Sequence, residues 1–207
     1  MSAIPAPASR PVLHSVDDIL RVLAAGQFGT DDPTRPTIER VDLLSHALQC
    51  ADRLVERHPD DVELHVAGLL HDLGHHLPLS GLRGRLADHE LTHGSEGASC
   101  VRGLLGYRVA ALIELHVPAK RFLVTFDPSY ASLLSNVSTY TLERQGGPMT
   151  DAEGARFRAN PHAESSLELR RADDDAKEAG RATSSLASWR PVLQGLAAGR
   201  GAAVPNV

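Results

Sequence analysis

Along most of this chain apolar positions recur every three or four residues, the repeat that places them on one face of a helix. The first such stretch runs from Val16 to Ala25. Ser15 is placed to cap it, with Asp18 three residues on, and Gly26 stops it. A Gly/Pro-rich loop, GQFGTDDPTRP, comes next. Ile38, Val41, Leu44, Leu48, Ala51 and Val55 then mark a longer helix starting near Thr37. Pro59 and the Asp60–Asp61 pair introduce VELHVAGLLHDLG, expected to end at Gly74 as a left-handed cap. Residues 75–91 read as a loop or broken element. A fourth helix is expected from near Thr92 to about Gly106, and a fifth, YRVAALIELH, is expected to break at Pro118. Asp127–Pro128 suits a helix cap followed by proline in the first turn. QGGPMT (145–150) is a turn in which Thr150 caps the next helix, a further helix spans about 162–178, and the closing SSLASWRPVLQGLAAG packs as a helix. There is no internal repeat and no strand pattern longer than four residues.

Composition narrows this to an all-α bundle. A chain of 207 residues suffices for one domain with a sizeable core, and aromatics are only 4% while Leu, Ala and Val dominate. A formal charge of −5 provides no broad basic field, so neither nucleic acid nor an anionic membrane is an expected partner. Cations that matter must be local, inside a pocket. No apolar run approaches the ~20 residues of a membrane span. The opening MSAIPAPASRPV lacks the apolar centre of a secretory signal. It reads as a disordered leader over residues 1–14, before a domain over 15–200 and a tail over 201–207. A cytoplasmic protein is expected, with Cys50 and Cys100, both in apolar helical patterns, as buried reduced thiols. The pattern leaves the oligomeric state open.

Eleven histidines are the anomaly, because several end apolar helical segments where surface histidines do not belong. His71 and Asp72 follow VAGLL, and an aspartate in such a setting needs a partner or a cation. Adjacent helical residues diverge by ~100°, so one can reach one metal while its neighbour bridges toward a second. His46, His93 and His116 fall on three further helical segments. Any one of these histidines is equally well explained as a hydrogen-bonded core residue. Four imidazoles and a carboxylate converging from separate helices suit a transition-metal site in a bundle core.

The arrangement H…HD…H…H is that of the HD-domain superfamily, whose members with the two extra histidines hold two metals. SHALQCA (45–51), LLHDLGH (69–75), HGSEGASCVRGL (93–104), HVPAKRFLV (116–124) and YASLLSNVSTYTLERQGGPM (130–149) carry a closer likeness. Over about residues 39–175 the chain resembles the mixed-valent di-iron oxygenases of that superfamily, specifically the PhnZ-type phosphonate oxygenases. The resemblance implies a single HD-domain bundle around a dinuclear Fe(II)/Fe(III) centre. Its ligands would be His46, His71, a bridging Asp72, His93, His116 and an Asp in LELRRADDD, best matched by Asp173, although Asp174 and Asp175 follow at once. It further implies that Lys120, Ser138 and Arg170 hold a phosphonate, that His75 and Gln145 line the pocket, and that Asp72, His75 and Lys120 take part in catalysis. His76 is expected on the surface.

One departure stands out. The resembled enzymes carry a Tyr that fills a metal position until substrate displaces it, and a Glu three residues on that binds the substrate's amine. Glu39 matches that Glu, but Pro36 stands at the Tyr position. The implied activity is that of a non-haem di-iron oxygenase. It would use O₂ to cleave the C–P bond of a small 1-hydroxyalkylphosphonate, such as 2-amino-1-hydroxyethylphosphonate, to a carboxylate and phosphate. The main alternative is an HD-type phosphohydrolase acting on a nucleotide or phosphate ester, with a metal-bound hydroxide as nucleophile. Two further readings are an oxygenase of the inositol oxygenase type, disfavoured by the cationic pocket, and a metal-stabilised sensor domain.

Overall fold

Ser15 does cap the first helix. In the computed structural model, which describes residues 11–28, 41–82, 89–132, 134 and 136–199, its side chain and that of Asp18 form a capping box at the start of α1 (Val16–Ala24). A 3₁₀ turn, Ala25–Phe28, follows. α2 (Leu43–Arg57) starts six residues after Thr37, where Asp42 accepts from the Ser45 N–H. Of the segment expected as a leader, residues 11–14 are described. Leu13 is buried there, and its N–H reaches the Cys100 carbonyl.

The centre of the bundle is α3 (Val62–Leu70), in which every residue from Leu64 to Leu70 is buried. Such a helix has no polar face and must be enclosed on all sides. It ends before Gly74, earlier than expected: His71 and Asp72 turn the chain, and α4 (Leu73–Leu79) starts at once. Gly74 is not a left-handed cap, since it lies inside α4 and is absent from the positive-φ glycines. It is needed for close approach instead: a Cβ there would stand 2.3 Å from the His93 carbonyl oxygen on α5 (His89–Leu105). Part of the stretch expected as a loop is thus helical. His76, expected on the surface, is fully buried in α4, where Nδ1 meets the Leu23 carbonyl at 3.2 Å and burial lowers its pKa to about 4.

α6 (Tyr107–Phe126) runs straight through Pro118, where a break was expected. A proline at this position forfeits the bond to the Glu114 carbonyl and crowds that oxygen. That residue is exposed, and α6 is packed against both α5 and α10. The persistence of α6 puts Lys120 one helical turn beyond His116, both buried. Asp127 caps α7 (Pro128–Ala131), α8 (Asn136–Arg144) follows, and a Thr150–Glu153 capping box opens α9 (Asp151–Arg158). α10 (Ala163–Asp175) crosses α2, α3 and α6. The C-terminal packing segment is a 3₁₀ turn, Leu186–Trp189, leading into α11 (Arg190–Ala197). Among the described residues there is no strand, and no helix long and apolar enough to cross a membrane.

The packing at Gly74 carries a prediction. Gly74→Ala drives a methyl into the His93 backbone and should destabilise by about 1–3 kcal/mol. Gly103→Ala, in the last turn of α5 with nothing within 4 Å of its added Cβ, should stabilise by up to about 1 kcal/mol. Urea denaturation of the two variants checks the contrast.

Candidate metal centre

Three of the four histidines are fixed by their own backbone surroundings. The Nδ1 of His46 meets the Ala176 carbonyl at 2.8 Å, that of His71 the Gly68 carbonyl at 2.7 Å, and that of His116 the Ile113 carbonyl at 2.6 Å. A carbonyl only accepts, so each Nδ1 holds the proton and donates it. Each Nε2 is then directed inward as a lone-pair donor, the arrangement metal-ligating histidines adopt.

The inward nitrogens form two groups around one carboxylate. On one side, His46 Nε2 lies 3.2 Å from His71 Nε2 and 3.1 Å from Asp173 Oδ1. His71 Nε2 lies 3.5 Å from Asp72 Oδ2. On the other side, His93 and His116 bring their Nε2 atoms to 3.0 Å, and each stands 3.6 Å from Asp72 Oδ1. His75 stacks on His93 with ring centroids 4.2 Å apart. Asp72 therefore turns one oxygen to each group. It stands at the N-cap of α4, yet its side chain makes no capping bond. A local preference is given up where the carboxylate faces the imidazoles instead.

Facing lone pairs in a dry interior call for a cation, and the donors fit one. Imidazole nitrogens with carboxylate oxygens suit iron, zinc, manganese or cobalt. Two sets have their donor atoms within 4.8 Å of one another: His46–His71–Asp72 and Asp72–His75–His93. The electrostatics agree. Burial works to raise the Asp72 carboxyl, but the His71, His75 and His93 rings outweigh it and hold Asp72 well below the usual carboxylate range. Burial likewise opposes an ionised Asp173, and Arg170 with His71 overrides it. Burial opposes a charged His71, yet Asp72 and the other neighbouring anions raise its pKa well above the ordinary value, so a proton there stands where a metal would. Burial, then His93, lowers His116 to about 3, leaving a neutral imidazole.

The three consecutive aspartates separate cleanly. Asp173 points to His46 and His71, Asp174 bonds Arg170 and Tyr130, and Asp175 turns out to Arg57. Lys120, 2% exposed, donates to Thr141 Oγ1 at 2.6 Å and Gln145 Oε1 at 2.7 Å. Burial, then Arg170, lowers its pKa to about 7. Arg170 is committed to carboxylates: Nη1 donates to Asp173 Oδ2 at 2.6 Å, and Nη2 and Nε donate to Asp174. Ser138 is buried and accepts from Lys177 at 3.3 Å. Glu39 and Pro36 lie outside the described residues. Cys50 and Cys100 are buried thiols outside any disulfide, as expected, and Cys100 Sγ donates to the Pro11 carbonyl at 3.0 Å. Sequence reasoning missed Thr141, one turn after Ser138, together with Lys177 and the Tyr130–Asp174 pair on Arg170.

A helical bundle enclosing a buried His/Asp cluster able to hold metal defines the class of protein. No family model matches the chain. Individual relatives do. Over 157 residues, 75% of this chain and 78% of the relative, it is 38% identical to hydroxymethylphosphonate dioxygenase of Gimesia maris. Over 156 residues, 75% of this chain and 79% of the relative, it is 31% identical to a glycine-betaine-forming [1-hydroxy-2-(trimethylamino)ethyl]phosphonate dioxygenase of Leisingera caerulea. The chain belongs to the phosphonate dioxygenase family.

The shared carboxylate yields a test. Asp72→Ala should weaken metal retention at both groups by more than about a hundredfold, beyond the loss typical of an outer-shell partner. His93→Ala should empty one group and leave the other. Metal content after dialysis distinguishes the two patterns, and equal loss in both variants would contradict a shared ligand.

Proposed function

We propose that the protein is an O₂-dependent oxygenase that cleaves the C–P bond of a small 1-hydroxyalkylphosphonate. The reaction converts R–CH(OH)–PO₃²⁻ and O₂ to R–COO⁻, HPO₄²⁻ and H⁺. His46, His71, Asp72 and Asp173 would hold one iron, and Asp72, His93 and His116 the second, with the pair in the Fe(II)/Fe(III) state. When bound, such a pair activates O₂ and acidifies the substrate hydroxyl. The observation that carries the reading is a buried ammonium, Lys120, one helical turn from His116 and held by Thr141 and Gln145. A dry cation beside a metal-type cluster selects a small dianion.

The remaining steps fall to the chain's own residues. Lys120 binds the phosphonate, with Ser138 as a hydroxyl donor. Gln145 holds the Lys120 ammonium in place. Arg170 reaches the phosphonate only through N–H groups left over from its carboxylate contacts, and its main bond is to Asp173. His75, stacked on His93, lines the reacting side. Among the clustered side chains Asp72 is more open, 18% exposed against 0–11% for His46, His71, His93, His116 and Asp173, so substrate enters past it. For the substituent on C1, Glu39 favours a cationic amine, as in 2-amino-1-hydroxyethylphosphonate, whereas the Gimesia maris relative is named for hydroxymethylphosphonate.

Iron-loaded protein should release phosphate from 1-hydroxyphosphonates only with O₂. Release without O₂, or from a phosphate ester, would favour the hydrolase reading instead. The pH profile adds a second readout. A Lys120 with a pKa near 7 is protonated below that pH and loses its charge above it, so KM should rise as pH climbs through about 7. Lys120→Arg, which stays charged, should flatten that rise.

A further inference from the structure

Resting on that proposed function, we infer that Arg121 is a positioning residue for the anion pocket. It holds the QGGP turn so that Gln145 meets the Lys120 ammonium, and does not itself touch the anion.

Two consecutive residues of α6 take hold of that turn at different points. Neighbours on a helix diverge by ~100°, so Lys120 and Arg121 leave α6 in different directions. Lys120 turns inward and donates to Thr141 Oγ1 and Gln145 Oε1. Arg121 reaches the backbone two residues past Gln145. Its Nε donates to the Gly147 carbonyl at 2.8 Å, and its Nη2 to Glu153 Oε1 at 2.9 Å. Thr125, one helical turn along α6, adds a third hold. Its hydroxyl donates to the Arg121 carbonyl at 2.8 Å and accepts from the Met149 N–H at 2.7 Å.

The turn needs these holds. Gln145 stands just past the end of α8, its N–H shared between the Thr141 and Leu142 carbonyls. Gly146 and Gly147 follow with φ of 97° and 67°, so the chain reverses through the two residues with the widest conformational freedom. A helix end beside two glycines frays unless its far side is fixed. Two of the three Lys120 protons go to Thr141 and Gln145, which leaves the third for a phosphonate oxygen. If Gln145 drifts, the ammonium swings and that direction is lost.

Glu153 makes Arg121 a fixed arm. Its Oε2 accepts from the Thr150 N–H at 2.7 Å and the Thr150 hydroxyl at 2.9 Å, within the capping box of α9, while Oε1 takes Arg121. The Thr150 N–H and hydroxyl, then Arg121, lower the Glu153 pKa to about 2, so it stays ionised. Its charge offsets that of Arg121, so a long-range pull on the anion is not what Arg121 supplies. The rigid fork of a guanidinium, which reaches a carbonyl and a carboxylate together, is.

Methylphosphonate, a dianion without the reacting hydroxyl, is the probe. Its binding to the iron-loaded, full-length protein is measured anaerobically by calorimetry, beside KM and kcat for hydroxymethylphosphonate. Arg121→Met should weaken methylphosphonate binding about tenfold and raise KM more than it lowers kcat, with iron content unchanged. Thr125→Val, which alters no charge, should weaken binding about threefold, and it carries the test if Arg121→Met does not fold. In a Gln145→Ala background each effect should shrink below about twofold, because both act through Gln145. A merely structural role would weaken binding equally with or without the Gln145 side chain. That result, wild-type affinity in the single variants, or no methylphosphonate binding by the wild type overturns the inference. If the wild type turns over hydroxymethylphosphonate but the single variants bind the anion normally, the oxygenase reading stands and Arg121 falls. If the coupling to Gln145 is found but no hydroxyphosphonate is oxidised, Arg121 stands and the oxygenase reading falls.

Discussion

Two imidazole nitrogens whose protons are committed elsewhere repel each other when they meet in a dry interior. Here that happens between His46 and His71 at 3.2 Å, and beside them His93 and His116, the latter with its proton committed, bring a second pair of Nε2 atoms to 3.0 Å. Carbonyl groups of Gly68, Ala176 and Ile113 set the tautomers that create the conflict. Only a cation, a proton or a metal, reconciles these pairs, and the Asp72 carboxylate is shared between them. The rest of the molecule is arranged to hold that carboxylate where both pairs can use it.

The backbone meets this demand through close helix contacts. The chain breaks at His71–Asp72 between two buried helices, so that adjacent side chains point into one centre from different directions. Gly74 lets α4 lie against the His93 backbone, and Gly94 leaves room for the His116 ring, whose Cε1 would stand 3.2 Å from an added Cβ. Larger residues there would push apart the helices that carry the second pair. α6 stays helical through Pro118, which sets the buried Lys120 one turn from His116, on the same helix as a histidine of the cluster.

Much of the cluster was legible because its chemistry clashes with its setting. A His-Asp pair after VAGLL, and histidines at the ends of apolar stretches, are unexplained unless something binds them. The aspartate register was less legible. Three consecutive Asp residues look alike in sequence, and only the ~100° step per residue in a folded α10 sends one inward, one to Arg170 and one to solvent. Gly74 and Pro118 misled for a common reason: their local preferences, a cap and a break, are outweighed by tertiary packing, in one case a contact to α5 and in the other support from α5 and α10. His76 misled because a histidine beside an inward-facing neighbour has no sequence mark of burial. The contact of Lys177 with Ser138 gave no signal in the sequence, since the two lie 39 residues apart.

A bridging Asp72 is the centre of this account, and X-ray diffraction from crystals of the iron-loaded protein, with anomalous data at the iron edge, tests it most directly. The account predicts two iron peaks about 3.5–4 Å apart, with Asp72 Oδ2 on the ion held by His46, His71 and Asp173 and Oδ1 on the ion held by His93 and His116. A single peak, or two ions with Asp72 bound to only one, would contradict it.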